Sequence, residues 1–269
     1  MAEPTWDPSQ YARFGDERSR PFTDLVGRVA ATSPDAVVDL GCGNGPLTLS
    51  LAEKWPNARI VGVDHSPQML AAARALDAAG RVEWVEADLR AWDPSQLGAA
   101  PDVVVSNAAL QWVPGHQDLI ARVVTALAPG GWFAMQVPDN LDAPSHALMR
   151  EVAATHPRAA DLTPAVTRLQ VEPPEAYLEQ LAGLGCAVDV WSTTYFHVLD
   201  PGGAEPDPVL EWVKGTGLRP VLALLTDPGE REEFLSVYRQ RLREAYPRTD
   251  AGVVLPFRRT FAVARTRGA

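Results

Sequence analysis

Three aspartates lie at or next to the ends of three predicted strands and could together bind one ligand. Asp39 stands in AVVDL, Asp64 ends ARIVGVD and Asp88 ends RVEWVEAD. A carboxylate at the end of a second strand can accept both hydroxyl hydrogens of a ribose, and one at the end of a third strand can accept the amino hydrogens of adenine. Each aspartate alone is more simply interpreted as a helix N-cap or a turn residue. Their occurrence at three consecutive strand ends favours a shared site.

A glycine loop follows the first of these acids. VVDLGCGNG places Gly41, Gly43 and Gly45 between a predicted strand and a helix start. Glycines let a ligand approach the backbone closely, and a helix N-terminus offers free N–H groups. A dinucleotide-binding loop would need a further glycine where Pro46 stands, and it has no acid two residues before its first glycine. Because Asp39 would repel a pyrophosphate and attract an ammonium group, we expect a ligand that is cationic at one end.

The acids and glycines must be positioned by a parallel sheet, because short apolar runs alternate with helical patterns through the first half of the chain. The predicted strands there are 36–40, 58–64, 81–88, 101–107 and 131–139. The second half predicts helices near 144–155 and 173–183, a strand at 186–199, helical segments across 206–246 and a last strand near 253–265. The sequence therefore predicts an α/β fold, a Rossmann-like doubly wound sheet of about seven strands, with a mostly helical cap inserted before the last strand.

We expect a single domain over 1–269, with an N-terminal helical lid, a cofactor-binding core and the helical cap at 1–33, 34–140 and 200–250. The segment 155–172 predicts no particular element. Within the cap, LEWVKGTGLRP reads as a helix that ends at Gly215 and leaves Arg219 at the tip of a short loop, directly before a proline. Such a cap would lie over the carboxyl edge of the sheet, where doubly wound sheets bind ligands.

Composition excludes several classes of function. The 269 residues carry a net charge of −10, with a pI near 5.0, which argues against a nucleic-acid partner. No apolar run is long enough to span a membrane, and the N-terminal residues do not resemble a secretory signal. The two cysteines are too few for a disulfide framework. We therefore expect a cytoplasmic protein, with a monomer as the simplest state and no membrane partner.

Neither the histidines nor the clustered arginines indicate a site by themselves. The five histidines are scattered, without the spacing of metal ligands, so no metal is expected. Arg258 and Arg259 are adjacent, and on an acidic protein such a cluster is usually a solvated face or a set of local ion pairs. It would gain interest only if it faced a pocket.

The acids and the glycine loop together resemble the class I S-adenosylmethionine-dependent methyltransferases. The resemblance implies S-adenosylmethionine as cofactor, with the acid before the glycines near the methionine amino group, the second-strand acid at the ribose and the third-strand acid at the adenine. It also implies that the segment NAALQW, after the fourth strand, lines the floor where cofactor and acceptor meet.

Trp6 and Tyr11 would form a lid over the cofactor, although aromatic core packing explains them equally well. The cofactor-binding residues so implied are Tyr11, Asp39, Gly41, Gly43, Asn44, Asp64, His65, Met69, Asp88, Leu89 and Asn107. Ordinary helix packing is an alternative explanation of Met69.

Several further stretches resemble the branch of this family whose members methylate trans-aconitate. They include WDPSQYARFGDERSRPF, NAALQWVPGH, GCAVDVWSTTYFH, EWVKGTGLRP and FRRTFAVAR. This resemblance implies transfer of a methyl group to one carboxylate of that small polycarboxylate, giving a monomethyl ester. Two alternatives are a methyltransferase of the same fold for another small acceptor, and a cofactor-binding module without catalysis.

A carboxylate acceptor needs no general base, because its pKa near 4 leaves it ionised at neutral pH. We therefore expect no catalytic residue and a rate that comes from alignment and water exclusion.

Arginines would clamp the two carboxylates that do not react. The candidate clamps are Arg18, Arg20 and Arg219, and the candidate orienting residues are Gln111, Trp112, Tyr195 and His197. A surface pair beside Asp16 and Glu17 explains Arg18 and Arg20 about as well, and packing could explain the shared strand face of Tyr195 and His197.

Overall fold

A computed structural model describes residues 15–167 and 171–268, with side chains from Ser19 onward. Trp6 and Tyr11, and with them the predicted lid over the cofactor, lie outside the described residues. The chain divides into two compact units. The sheet unit comprises the described residues 15–138, 171–192 and 259–268, and the helical unit comprises 139–167 and 193–258.

The sheet unit follows the predicted alternation of strands and helices. Its helices are α1 (Gly15–Gly27), α2 (Pro46–Lys54), α3 (Pro67–Leu76), α4 (His116–Thr125) and α7 (Pro174–Gly183). Its strands are β1 (Ala36–Leu40), β2 (Arg59–Asp64), β3 (Val82–Glu86), β4 (Val103–Asn107) and β5 (Trp132–Pro138), and it includes parts of β6 (Ala187–Leu199) and β8 (Gly252–Arg265). All seven predicted strands are confirmed, with ends that differ from the prediction by at most two residues.

The sheet order is β3-β2-β1-β4-β5-β8-β6, and β1 to β5 are parallel. β8 runs antiparallel to β5. The strand order reverses between β1 and β4, which makes the carboxyl ends of those strands the expected ligand edge of a doubly wound sheet. The predicted fold class is confirmed, and the sheet's eighth strand is the two-residue β7 (Arg248–Thr249), which pairs with β8.

The helical unit contains the helix predicted near 144–155 and the helical segments predicted across 206–246. Its helices are α5 (Pro144–Thr155), α6 (Ala159–Val166), α8 (Pro208–Lys214), α9 (Arg219–Leu224) and α10 (Pro228–Ala245). Their apolar faces form one core that contains Trp212, Phe234 and Tyr238. The hydroxyl of Tyr238 donates to the carbonyl of Ser145 over 2.6 Å, which joins α10 to the start of α5. Helix α6 lies in the segment for which the sequence predicted no particular element.

The glycine loop requires glycine at two positions for different reasons. Gly41 has φ +80°, and a Cβ there would lie 2.2 Å from the Cβ of Ala109. Gly43 has φ +56°, but a Cβ there would meet nothing within 4 Å. Gly41 is therefore required by packing against the turn after β4. Gly43 needs glycine for its backbone conformation alone and leaves open space above the loop.

We expect Gly41→Ala to lower the free energy of unfolding by about 2–5 kcal/mol, since it adds a steric clash to the strain of a positive φ. Gly43→Ala carries only the strain and should cost about 1–2 kcal/mol. Urea unfolding followed by circular dichroism measures both. Ala109→Gly should restore part of the stability lost in Gly41→Ala, and equal losses in the two single variants would contradict the packing role of Gly41.

Candidate active site

Asp39 is a buried carboxylate near the carboxyl end of the central strand β1, with 3% of its surface exposed. Its Oδ2 accepts a hydrogen bond of 2.6 Å from the hydroxyl of Thr48, in the first turns of α2. Burial raises the pKa of Asp39 to about 7, the hydrogen bond from Thr48 opposes this, and the nearby Asp64 adds to it. A positive group beside Asp39 would restore its ionised form, because opposite charges stabilise each other in a buried site.

Asp64 joins the glycine loop to the end of β2. Its Oδ2 accepts from the amide of Gly43 and its Oδ1 accepts from the amide of Ser66, both over 2.9 Å. Each carboxylate oxygen can accept a second hydrogen bond. Asp64 can therefore hold the loop and still accept from a ligand hydroxyl. Asn44, the next residue of the loop, is half-buried.

The remaining predicted nucleoside contacts differ in exposure. His65 is exposed, with its Nδ1 3.5 Å from Asp64 Oδ1. Met69 and Leu89 are buried, which agrees with either a nucleoside contact or ordinary packing. Asp88 lies two residues beyond β3, and its carboxylate accepts 2.9 Å bonds from the Arg90 amide and from Arg90 Nε. These bonds lower the pKa of Asp88 and keep it ionised, so an adenine amino group would share its oxygens with Arg90.

The turn after β4 contains buried acceptors. Asn107 ends β4, and Ala108 follows it with φ +54°. Gln111 donates from Nε2 to the carbonyl of Ala108 over 2.7 Å. Asn107 Oδ1 and Gln111 Oε1 are buried and have no hydrogen-bond partner among the described residues. A buried acceptor without a donor is costly, so both atoms suit a bound ligand that donates hydrogen bonds.

The predicted acceptor-binding residues divide between the two units. Gln111, the half-buried Trp112 and the exposed Arg20 belong to the sheet unit, as does Arg18, whose side chain lies outside the described residues. The other three candidates are Tyr195, His197 and Arg219, all in the helical unit.

Tyr195 and His197 share one strand face, as predicted. Their rings are nearly parallel, with centroids 6.1 Å apart, and His197 also stacks on Trp212 at 4.9 Å. Both are buried in the aromatic core, which favours the packing interpretation of that face. The prediction that Arg219 stands at the tip of a loop is wrong. Pro220 follows it at a position that favours helix initiation, and Arg219 is the first residue of α9.

Sequence reasoning missed three polar residues of the sheet unit. Thr48 and Gln136 are fully buried, and Arg259, which we expected on a solvated face, is 4% exposed. Two of them carried a usable signal. Thr48 is the polar residue in the first turns of the helix after the glycine loop, and Gln136 interrupts the apolar strand GWFAMQVPD at its carboxyl end.

The acceptor groups of the site fit a ligand with a cationic amino group at one end and ribose hydroxyls at the other. Asp39 offers the buried anion, Asn107 the unpaired acceptor, and Asp64 the acceptors for hydroxyl groups. The described part of the chain has no group of three or more histidine, cysteine, aspartate or glutamate residues that could hold a metal ion. Nor does any helix in that part combine the length and apolar character that a membrane crossing requires.

Comparison with known proteins shows what the chain is similar to. The family described as "Methyltransferase domain" matches residues 37–131. Trans-aconitate 2-methyltransferase of Streptomyces avermitilis is 52% identical, over 98% of this chain and 97% of that protein. The protein of the same name from Streptomyces coelicolor is 50% identical, over 97% and 87%. The structure of the YcgJ protein of Bacillus subtilis matches with a TM-score of 0.58 at 11% identity, over 93% of this chain and all of that one.

The fold and the acid and glycine set define a class I S-adenosylmethionine-dependent methyltransferase. The similarity to the two Streptomyces proteins extends over nearly the whole chain. The chain therefore belongs to the trans-aconitate 2-methyltransferase family. The expected domain boundaries, monomeric state and cytoplasmic location stay predictions.

The raised pKa of Asp39 predicts that the affinity for the cofactor depends on pH. The free protein holds Asp39 with a pKa of about 7, and the ammonium group of the cofactor should lower that pKa. As the pH falls from about 7 to 5.5, the dissociation constant of the cofactor should therefore rise by up to about tenfold per pH unit, because Asp39 must release a proton when the cofactor binds. Calorimetric titration with S-adenosylmethionine measures this, and an affinity that is constant over that range would contradict it.

Asp39→Asn keeps the shape of the side chain without its charge. It should weaken cofactor binding at pH 7.5 by about 10- to 100-fold, the value of a charged hydrogen bond, and should abolish the dependence on pH. Asp64→Asn is the matched control, which should weaken binding and keep the dependence. If Asp39→Asn retained the dependence, another group would be titrating.

Proposed function

We propose that this chain transfers a methyl group from S-adenosylmethionine to one carboxylate of trans-aconitate, giving a monomethyl ester. The observation that carries the proposal is the extent of the similarity to the enzymes of that name. It covers 98% of the chain at 52% identity, and thus includes the acceptor-side segments of the helical unit as well as the glycine loop. A relative that shared only the cofactor would be expected to match the glycine loop and adjacent strands alone.

The sheet unit supplies the residues for the cofactor. Asp39 and the buried Oδ1 of Asn107 would accept from the methionine ammonium, and Asp64 from the ribose hydroxyls. The open space at Gly43 lets the ligand lie against the backbone of the loop. We assign the adenine surroundings, as proposals, to His65, Met69, Asp88 and Leu89.

The proposed reaction assigns no proton transfer to the protein. The bound cofactor supplies a methyl group made electrophilic by the positive sulfur. A carboxylate with a pKa near 4 is ionised at neutral pH, so it can attack in line without a base. The turn 107–112, with the sequence NAALQW, contains no side chain that could act as a base at that pH. The chain would then act by aligning the two reactants and excluding water.

We further propose that Arg219 clamps a carboxylate that does not react. Arginine pairs with a carboxylate through two parallel hydrogen bonds, whereas similar pairing at the reacting carboxylate would reduce its nucleophilicity. Arg219 is half-buried and lies in a segment, EWVKGTGLRP, by which the chain resembles the trans-aconitate enzymes. Arg18 and Arg20 are further candidates for the clamp, and Gln111, Trp112, Tyr195 and His197 are the candidates for orienting the acceptor.

A panel of acids tests the proposed function. The protein, methyl-labelled S-adenosylmethionine and each acid are incubated, and base-labile label is counted and the ester identified by mass spectrometry. We expect transfer to trans-aconitate, with weaker transfer to dicarboxylates and monocarboxylates. Preferred transfer to a fatty or hydroxylated acid would support an enzyme of the same fold with another acceptor. The absence of transfer to any di- or tricarboxylate would reject the proposal.

Arg219→Gln tests the clamp. It should raise the KM for trans-aconitate by about 10- to 100-fold, the loss expected for a charged hydrogen bond, and leave cofactor affinity unchanged. Arg241→Gln is the matched control, because Arg241 forms a partly exposed ion pair of 2.9 Å with Glu151. Steady-state kinetics measures both variants. Equal KM values for Arg219→Gln and the control would remove Arg219 from the clamp.

A further inference from the structure

Gly217 lies in the turn between α8 and α9, two residues before Arg219, and this position needs glycine for space. A Cβ at Gly217 would lie 2.8 Å from Cε1 of His146, closer than van der Waals contact allows, and 3.4 Å from Nδ1 of the same ring. The φ of Gly217 is not positive, so its backbone conformation alone would accept alanine. The turn therefore packs its backbone directly against the imidazole ring of His146, in the first turn of α5.

His146 is a firmly held partner for that turn. Its ring is buried, and burial, reinforced by the charge of Arg150, lowers the pKa of His146 to about 4. The ring is therefore neutral near pH 7, and its contact with the turn is one of packing. Two tyrosine hydroxyls hold the backbone of the preceding residue, Ser145: its amide donates to Tyr246 over 3.0 Å, and its carbonyl accepts from Tyr238 over 2.6 Å.

The turn connects Gly217 closely to Arg219. The amide of Arg219 donates to the carbonyl of Thr216 over 3.2 Å, so one backbone hydrogen bond closes over Gly217. Leu218 and Pro220, on either side of Arg219, are buried. Close-packed neighbours resist displacement, so a shift of Gly217 would move the backbone of Arg219 instead of being absorbed by a loose loop.

We propose that His146 is a positioning residue for the methyl acceptor, and that it fixes Arg219 by packing against Gly217. The inference rests on the proposed function and on the clamp role of Arg219. Two parallel hydrogen bonds to a carboxylate require one orientation of the guanidinium, and a long side chain is positioned only as well as the backbone that carries it. His146 would therefore set the geometry of the clamp without touching the substrate.

Gly217→Ala tests the contact. The added methyl group would push the turn away from His146, so the KM for trans-aconitate should rise by about tenfold, since a misplacement of about 1 Å can cost up to about 100-fold. The kcat at saturating acceptor and the cofactor affinity, measured by steady-state kinetics and calorimetry, should stay close to those of wild type. A wild-type KM for Gly217→Ala would overturn the inference.

The double variant Gly217→Ala/His146→Ala removes the ring that the new methyl group meets. Its KM for trans-aconitate should be lower than that of Gly217→Ala, because the clash is relieved, whereas a general loss of packing would make the double variant worse. A KM as high as that of Gly217→Ala would overturn the inference. If Gly217→Ala does not fold, His146→Ala provides the test, since loss of the ring should loosen the turn and raise the KM. An unchanged KM for His146→Ala would then overturn the inference.

A double-mutant cycle tests whether the contact acts through Arg219. In Arg219→Gln no clamp is left to be misplaced, so adding Gly217→Ala to that variant should change the KM for trans-aconitate little. Independent effects would instead multiply, because the free-energy changes of uncoupled sites add. Effects that multiply in Gly217→Ala/Arg219→Gln would reject positioning through Arg219.

Gly202→Ala is the matched control. Gly202 also belongs to the helical unit, its φ is not positive, and a Cβ there would meet nothing within 4 Å. It should behave as wild type. If wild type methylates trans-aconitate and Gly217→Ala matches this control in KM, the inference fails and the proposed function stands. If wild type methylates no polycarboxylate, the proposed function itself fails, and the inference fails with it.

Discussion

The buried carboxylate of Asp39 is the constraint on which the site depends. It lies on the central strand, and Thr48 holds it from the helix that follows the glycine loop. Burial without a cation raises the pKa of Asp39 to about 7. In the free protein this carboxyl group is therefore only partly ionised near neutral pH. A ligand with a fixed positive end relieves this cost. The ammonium group of the cofactor of this class is such an end, whereas the pyrophosphate that a dinucleotide places at a glycine loop is negative.

The surrounding structure fixes the loop that follows this carboxylate. Gly41 lets the loop after β1 pack against the turn after β4, where a Cβ would clash with Ala109. Asp64 then fixes the same loop through the amide of Gly43. The open space at Gly43 and the unpaired acceptor of Asn107 leave room and hydrogen-bonding capacity for one molecule. The loop, the two acids and the turn therefore act as one preorganised surface.

The sequence was sufficient to predict the fold class and all seven main strands, and the cofactor roles of the three acids stay predictions. Apolar runs and glycine positions are local signals, and the order of strands in a doubly wound sheet brings their carboxyl ends together. What the sequence could not predict depends on burial. Arg259 belongs to a basic pair that is usually solvated, and only the register of β8 against β5 places it beside Gln136. Arg219 was expected in a loop, and the short helix α9 begins there instead, since Pro220 favours helix initiation as well as a turn.

The central claim about charge is that the buried carboxylate of Asp39 binds the cationic amino end of the cofactor. A crystal structure of the protein with S-adenosylhomocysteine and trans-aconitate tests it most directly. We expect the amino group of the cofactor product to lie within hydrogen-bonding distance of Asp39. An amino group that lies away from Asp39 would contradict this claim.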